Sequence, residues 1–256
     1  MVTRDSIKTR IKNDETVIGT FCIVPSATMI DTLGYSGMDF CIIDTEHGPI
    51  DVGSISDLVL AANGAGVDPI VRVSRNDETL ILKALDTGAL GVQIPQVNTK
   101  EEAEKVLRAV KYSPIGDRGL SIFTKAGGYF SNNGIGHTDI QNEKTMSIIH
   151  IEGVAGLNNL EQILDVENID VIFLGPYDIS QSLGIPGKVD DNLVSDAIKK
   201  AVDKTKSLGR AVGSYAKDIE MAKWLSGLGV QYIAVNVDAT IYMQACKNIV
   251  KEINHI

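Results

Sequence analysis

Four short segments set acids, histidines and an arginine at the ends of apolar runs. Asp44, Glu46 and His47 fall in "FCIIDTEHGPID" (40–51), Arg72 in "PIVRV" (69–73), His150 and Glu152 in "IIHIEG" (148–153), and Asp178 in "FLGPYD" (173–178). Two carboxylates from successive apolar runs, Glu152 and Asp178, suit a hard divalent ion such as Mg2+ or Mn2+, with water and substrate oxygens completing its shell. Each also lies just before a helical pattern, where capping free N–H groups is the competing use. His47 can act as a general acid or base, with Asp44 orienting its ring; a histidine satisfied within a loop is the alternative. Arg72 is costly inside an apolar run unless it is paired or faces a polar cavity. It would hold an anionic substrate oxygen, or pair with Asp44 or Asp86. His150 and Glu152 are two residues apart and share a strand face, which makes His150 a candidate neighbour of ion or substrate, or a group bonded within the interior. His137 and His255, in a loop-like stretch and at the C-terminal end, are expected to be solvated.

The elements that carry these groups alternate along the chain. After a helical segment at about 3–13, expected to cap the fold, apolar strand-like runs occur at 17–24, 40–44, 69–73, 91–95, 146–152, 171–175, 211–216 and 232–237. The 40–44 run, Phe40-Cys41-Ile42-Ile43-Asp44, lacks polar alternation, as expected of a strand covered on both faces. Amphipathic segments follow the runs, one of them, "SATMIDTLGYSG", opening on the N-cap candidate Ser26 and closing on glycine. A stretch from 112 to 145 reads as loop; Arg118 in its "SPIGDRG" is a candidate to tie it down. Eight strand–helix units in about 250 residues is the size of a (β/α)8 barrel, with an open doubly wound sheet as the alternative. Either way, the residues just past each strand gather at one face. The chain reads as a single domain over residues 1–256.

Composition narrows the function classes. The chain is 44% hydrophobic and 22% charged, with a formal net charge of −9 and no basic stripe, which argues against nucleic acid as a partner. No apolar stretch approaches the roughly 20 residues of a membrane span, and the first residues lack the apolar core of a signal peptide. A cytoplasmic protein is the expectation. Cys22, Cys41 and Cys246 form no C-x-x-C pair. Neither GxGxxG after a strand nor GxxxxGK[ST] occurs, and no G-x-S-x-G elbow is present. An imine-forming lysine would be expected on an inner strand; Lys217, just past the seventh run, is the nearest and reads as a solvated helix start.

Taken in order, "DFCIIDTEHGPID", "PIVRV", "ALDTGALGVQIPQV", "YSPIGDRG", "IEGVAGLNNLEQIL", "IDVIFLGPYDISQSLG" and "GVQYIAVNVDATIY" resemble the HpcH/HpaI family of metal-dependent 2-oxo-acid aldolases over nearly the whole chain. The resemblance implies a TIM barrel that cleaves or forms 4-hydroxy-2-oxo acids, to or from pyruvate and an aldehyde. By it, Glu152 and Asp178 match the carboxylates of a divalent ion (Mg2+ or Mn2+, with Co2+ also compatible). His47 steered by Asp44 matches the base, and Arg72 the residue that steadies the keto or enolate oxygen. The backbone at Gly175, Pro176 and Tyr177 matches the seat of the carboxylate, and Asp86 an acid in the family's "LDxGA" segment. It further implies a homo-oligomer, a hexamer built as a trimer of dimers, with the last helix exchanged between subunits. One departure is His150, where many members carry glutamine; it keeps open a citrate-forming condensation of oxaloacetate with acetyl-CoA. A non-catalytic barrel subunit is the third reading, disfavoured by the retention of so many costly polar groups together.

Overall fold

Each strand of the computed structural model is short, parallel and split by parity into two faces. The structure describes residues 5–131 and 134–254. The strands are β1 (Val17–Cys22), β2 (Phe40–Asp44), β3 (Asp68–Arg72), β4 (Gly91–Ile94), β5 (Met146–Ile151), β6 (Val171–Leu174), β7 (Ala211–Ala216) and β8 (Tyr232–Val237). They pair in sequence order, and β8 returns to β1 with Val17 opposite Tyr232, so the sheet is a closed barrel rather than an open one.

The unbroken apolar runs follow from burial on both sides of the wall. Phe40, Ile42, Ile70, Met146, Ile148, Val171, Phe173 and Tyr232 pack inside the barrel, while Cys41, Ile43, Val71, Ile149, Ile151 and Ile172 pack outward beneath the helices. Two cores back to back on one sheet need apolar side chains at odd and even positions alike.

Helices return the chain to the start of each next strand. Ser26 caps the helix Ala27–Ser36 by accepting from the Met29 N–H, and Gly37, at φ 84°, closes it. The N-terminal helix Ile7–Lys12 plugs the floor of the barrel. Ile7 and Ile11 join the interior cluster. The Ile7 N–H donates to Asp68 Oδ2 at 2.7 Å, Lys8 pairs with Asp170 at 3.0 Å, and Arg10 pairs with Asp39 at 2.5 Å. These acids stand at or just before the starts of β3, β6 and β2.

The stretch 112–145 is not all loop. It holds a 3-10 turn, Gly128–Phe130, and the helix His137–Lys144. That helix, "HTDIQNEK", has one apolar residue, Ile140, which is exposed, so no hydrophobic period announces it. His137 is buried rather than solvated, with its Nε2 3.4 Å from the Tyr112 hydroxyl. His255 lies outside the described residues. Among the described residues no helix is long and apolar enough to cross a membrane.

Candidate active site

The inward parity of each strand, continued one step past the wall, delivers the polar groups. Phe40 and Ile42 face the interior, and so does Asp44; Ile70 leads to Arg72 in the same way, and Met146 and Ile148 to His150 and Glu152. The parallel register sets Asp44 beside Arg72. Arg72 donates from Nε to Asp44 Oδ1 at 2.8 Å and from Nη2 to Oδ2 at 2.5 Å, a two-point clamp. Its Nη1 lies 3.1 Å from Glu46 Oε2, and its guanidinium carbon sits 4.7 Å from the centre of the Phe21 ring. Burial alone would lower the Arg72 pKa, but Asp44 and then Glu46 outweigh it and raise it, keeping the cation charged.

Asp44 does not reach the His47 ring. Its Oδ1 accepts from the backbone N–H groups of Glu46 and His47, at 3.0 and 3.3 Å, as well as from Arg72. With both oxygens so engaged, Asp44 fixes the loop backbone that carries the imidazole and leaves the exposed ring to face the cavity.

Glu152 and Asp178 meet across Gly175. A Cβ at residue 175 would stand 2.9 Å from Glu152 Oε2 and 3.8 Å from Asp178 Oδ2, so both oxygens border the space that this glycine leaves open. Neither acid caps its helix: the helices Val154–Asn158 and Pro176–Ser182 have no side-chain cap. Glu152 instead accepts from the Gln96 N–H at 2.8 Å and lies 3.2 Å from His150 Nδ1. Gln96 makes that bond with φ at 54°, a left-handed backbone unusual for its type. Burial would raise the Glu152 carboxyl, but His150, the Gln96 N–H and Arg72 outweigh it and hold it below the usual range. Burial and the neighbouring Glu152 charge push Asp178 up. Two acids with opposed shifts at a shared space are what a divalent ion would relieve, and the oxygen donors fit a hard cation. No cluster of three or more His, Cys, Asp or Glu able to hold an ion occurs among the described residues. The remaining ligands would therefore be water or substrate oxygens.

Beneath this pair a polar column runs into the barrel. His150 Nε2 lies 3.1 Å from Gln93 Oε1, and Gln93 Nε2 donates to the Tyr232 hydroxyl at 3.0 Å. The His150 ring stacks on Phe173 at 4.5 Å.

A cavity of about 390 Å3 gathers Asp44, His47, Arg72, His150, Glu152, Gly175, Pro176, Tyr177 and Asp178, all singled out in the sequence. It also takes in Phe21, Ile23, Phe173, Tyr215, Val237 and Thr240. These apolar and hydroxyl groups have no distinctive type or spacing, and only strand parity could have placed Phe21, Phe173 and Tyr215 inside. Asp86 does not line the cavity of its own chain. It ends the helix Glu78–Asp86 and pairs with Arg118 at 2.9 Å, because a helix that returns along the barrel carries its last residue away from the strand ends. Arg118 thereby anchors the long connection, with Tyr112 beneath its guanidinium at 4.7 Å. Lys217 pairs with Asp190 outside the cavity.

Known proteins resemble this chain over most of its length. A family profile described as HpcH/HpaI aldolase/citrate lyase matches residues 18–245. The chain is 31% identical over 246 residues to a hydroxypyruvate/pyruvate aldolase of Roseobacter denitrificans, covering 96% of this chain and 95% of that one. Among solved structures, an HpcH/HpaI aldolase/citrate lyase family protein of Burkholderia cenocepacia superposes with a TM-score of 0.92 at 27% identity, covering 97% and 98% of the two chains. The citrate synthase SbnG superposes at 0.87 with 32% identity, covering 98% of each.

Proposed function

The chain belongs to the HpcH/HpaI aldolase/citrate lyase family, and on that footing we propose that it is a divalent-metal-dependent aldolase, cleaving or forming 4-hydroxy-2-oxo acids to or from pyruvate and an aldehyde. The observation that carries this reading is the pair Glu152 and Asp178 bordering the open side of Gly175 in a cavity shared with Arg72 and His47.

Glu152 and Asp178 would hold Mg2+ or Mn2+, which when bound would supply positive charge to the substrate's keto and carboxylate oxygens. Arg72, clamped by Asp44, offers its guanidinium to the oxygen on which negative charge develops. The His47 imidazole, at the mouth of the cavity, takes the proton from the C4 hydroxyl. The C3–C4 bond then breaks, its electron pair passes toward the C2 oxygen as an enolate, and the aldehyde leaves. Return of a proton to C3 gives pyruvate. The backbone at Gly175 and Pro176, with Tyr177 beside it, would seat the substrate carboxylate; all three line the cavity.

The test is turnover of a 4-hydroxy-2-oxo acid with and without EDTA. Activity should vanish with the chelator and return with Mg2+ or Mn2+. Chelator-insensitive turnover killed by borohydride with substrate would refute the reading in favour of an imine route. The similarity to SbnG supports citrate formation as a second reading, tested directly by supplying oxaloacetate and acetyl-CoA. The proposal includes a cytoplasmic homo-oligomer that exchanges its last helix; the exposed Ile241, Tyr242, Ile249, Val250 and Ile253 on Asp238–Asn254 support it.

A further inference from the structure

Glu46, beside the base-carrying loop, has no part in the chemistry above, yet it is one of two carboxylates on Arg72. The two are held very differently. Asp44 is 1% exposed, and its oxygens accept four N–H groups, two from the Arg72 guanidinium and two from the loop backbone. It cannot leave without unmaking the turn. The Glu46 carboxylate has a single polar tie among the described residues, the 3.1 Å contact with Arg72 Nη1, and sits on the loop after β2 rather than in the wall.

The guanidinium itself shows where a ligand must come. One face lies on Phe21 and one edge is closed by Asp44. Nη1 is the nitrogen that Asp44 does not hold, and Glu46 stands on it. Two carboxylates on one cation also leave an excess negative charge beside a cavity that already holds Glu152 and Asp178. The environment bears this out in energy: burial raises the Glu46 carboxyl and the Glu152 charge adds to the rise, against the pull of Arg72.

We infer that Glu46 is the displaceable counter-charge of Arg72, holding Nη1 in the absence of substrate and yielding it to the C2 oxygen of the oxo acid, so that its charge sets how tightly that acid and its enolate bind. The inference rests on the aldolase reading of the site and makes Glu46 a specificity-setting residue for the oxo-acid half of the substrate. Asp44 keeps the guanidinium in place while the exchange occurs.

Glu46→Gln tests it, because the amide keeps an acceptor for Nη1 and removes only the charge. Oxalate, a flat dianion resembling the enolate of pyruvate, is titrated into wild type and variant at saturating Mn2+, and the KM for the oxo acid is measured alongside. With one like charge removed close by, oxalate should bind about three- to tenfold tighter in the variant, and KM should fall. A residue that merely supported the fold would weaken binding when changed. Unchanged or weaker oxalate affinity in Glu46→Gln would overturn the inference, as would an oxalate complex in which Glu46 stays on Nη1. Wild-type protein that binds no oxalate with Mn2+ or Mg2+ would overturn the aldolase reading and this inference with it.

Discussion

Replacing Gly175 by alanine isolates the space between the two carboxylates from everything else. Its backbone, at φ −93° and ψ 96°, is open to any L residue, so alanine brings no conformational strain. The added methyl would stand 2.9 Å from Glu152 Oε2 and 3.1 Å from Glu152 Cβ. Ordinary contact needs roughly half an ångström more, and an ion tolerates only about 0.2 Å of error in its ligands. Glu152 cannot simply retreat, since the Gln96 N–H and His150 hold it from the other side. Displacing a ligand to this extent should cost roughly 10- to 100-fold in metal affinity, about 1.4–2.7 kcal/mol. Mn2+ titration followed by paramagnetic resonance reads the loss directly. Thermal unfolding of the metal-free variant reads the cost of crowding Glu152 by itself, and a loss of Mn2+ affinity in a variant that still unfolds cooperatively is the ion's share. Wild-type Mn2+ affinity in Gly175→Ala would refute the carboxylate pair as the ion's seat.

Three further outcomes are expected. His47→Ala should lower kcat by about 10^2- to 10^4-fold while Mn2+ affinity holds, and equal losses of both would contradict a proton-transfer role. Burial, with Lys8 and Lys12 nearby and against the pull of Asp170, lowers Lys111 from 10.5 to about 8. Between those values the unfolded chain keeps a proton that the folded one has released, so stability should rise with pH across that window, by up to about 3 kcal/mol. Urea unfolding at pH 7.5 and 10.5 should show the rise in wild type and its loss in Lys111→Met; parallel behaviour of the two would refute the assignment. Ile7→Ala, which empties part of the barrel floor, should cost about 2–4 kcal/mol of unfolding free energy, and a loss below about 1 kcal/mol would mean that the helix is not a true plug.

The strands were legible because a wall buried on both sides demands uninterrupted apolar runs, and a polar residue ending such a run stands out. Hence Asp44, Arg72, Glu152 and Asp178 stand out from the ends of their runs alone, and β2 begins and ends where its run does. Contacts between strands were less legible. That Asp44 spends its oxygens on backbone N–H groups and Arg72, not on the His47 ring, depends on a turn geometry that residue types do not encode. Gln96 carries no mark in the sequence because its contribution is a backbone N–H in an unusual conformation, and Gln93 none because a neutral amide in a strand has no charge. Asp86 shows a related limit: a segment can match a pattern while its helix holds the acid on Arg118, outside the cavity of its own barrel.

Closure of the ring has a consequence for how the chain comes to be made. Val17, near the start, finds its hydrogen-bonding neighbour only when Tyr232 has been synthesised, so β1 leaves the ribosome with one flank bare for most of translation. Until the last strand arrives, that flank is open to any other extended segment, from this chain or another. The Ile7–Lys12 helix waits too, since the Ile11 carbonyl accepts from Gln231 Nε2 at 3.2 Å, a bond that needs the residue just before β8.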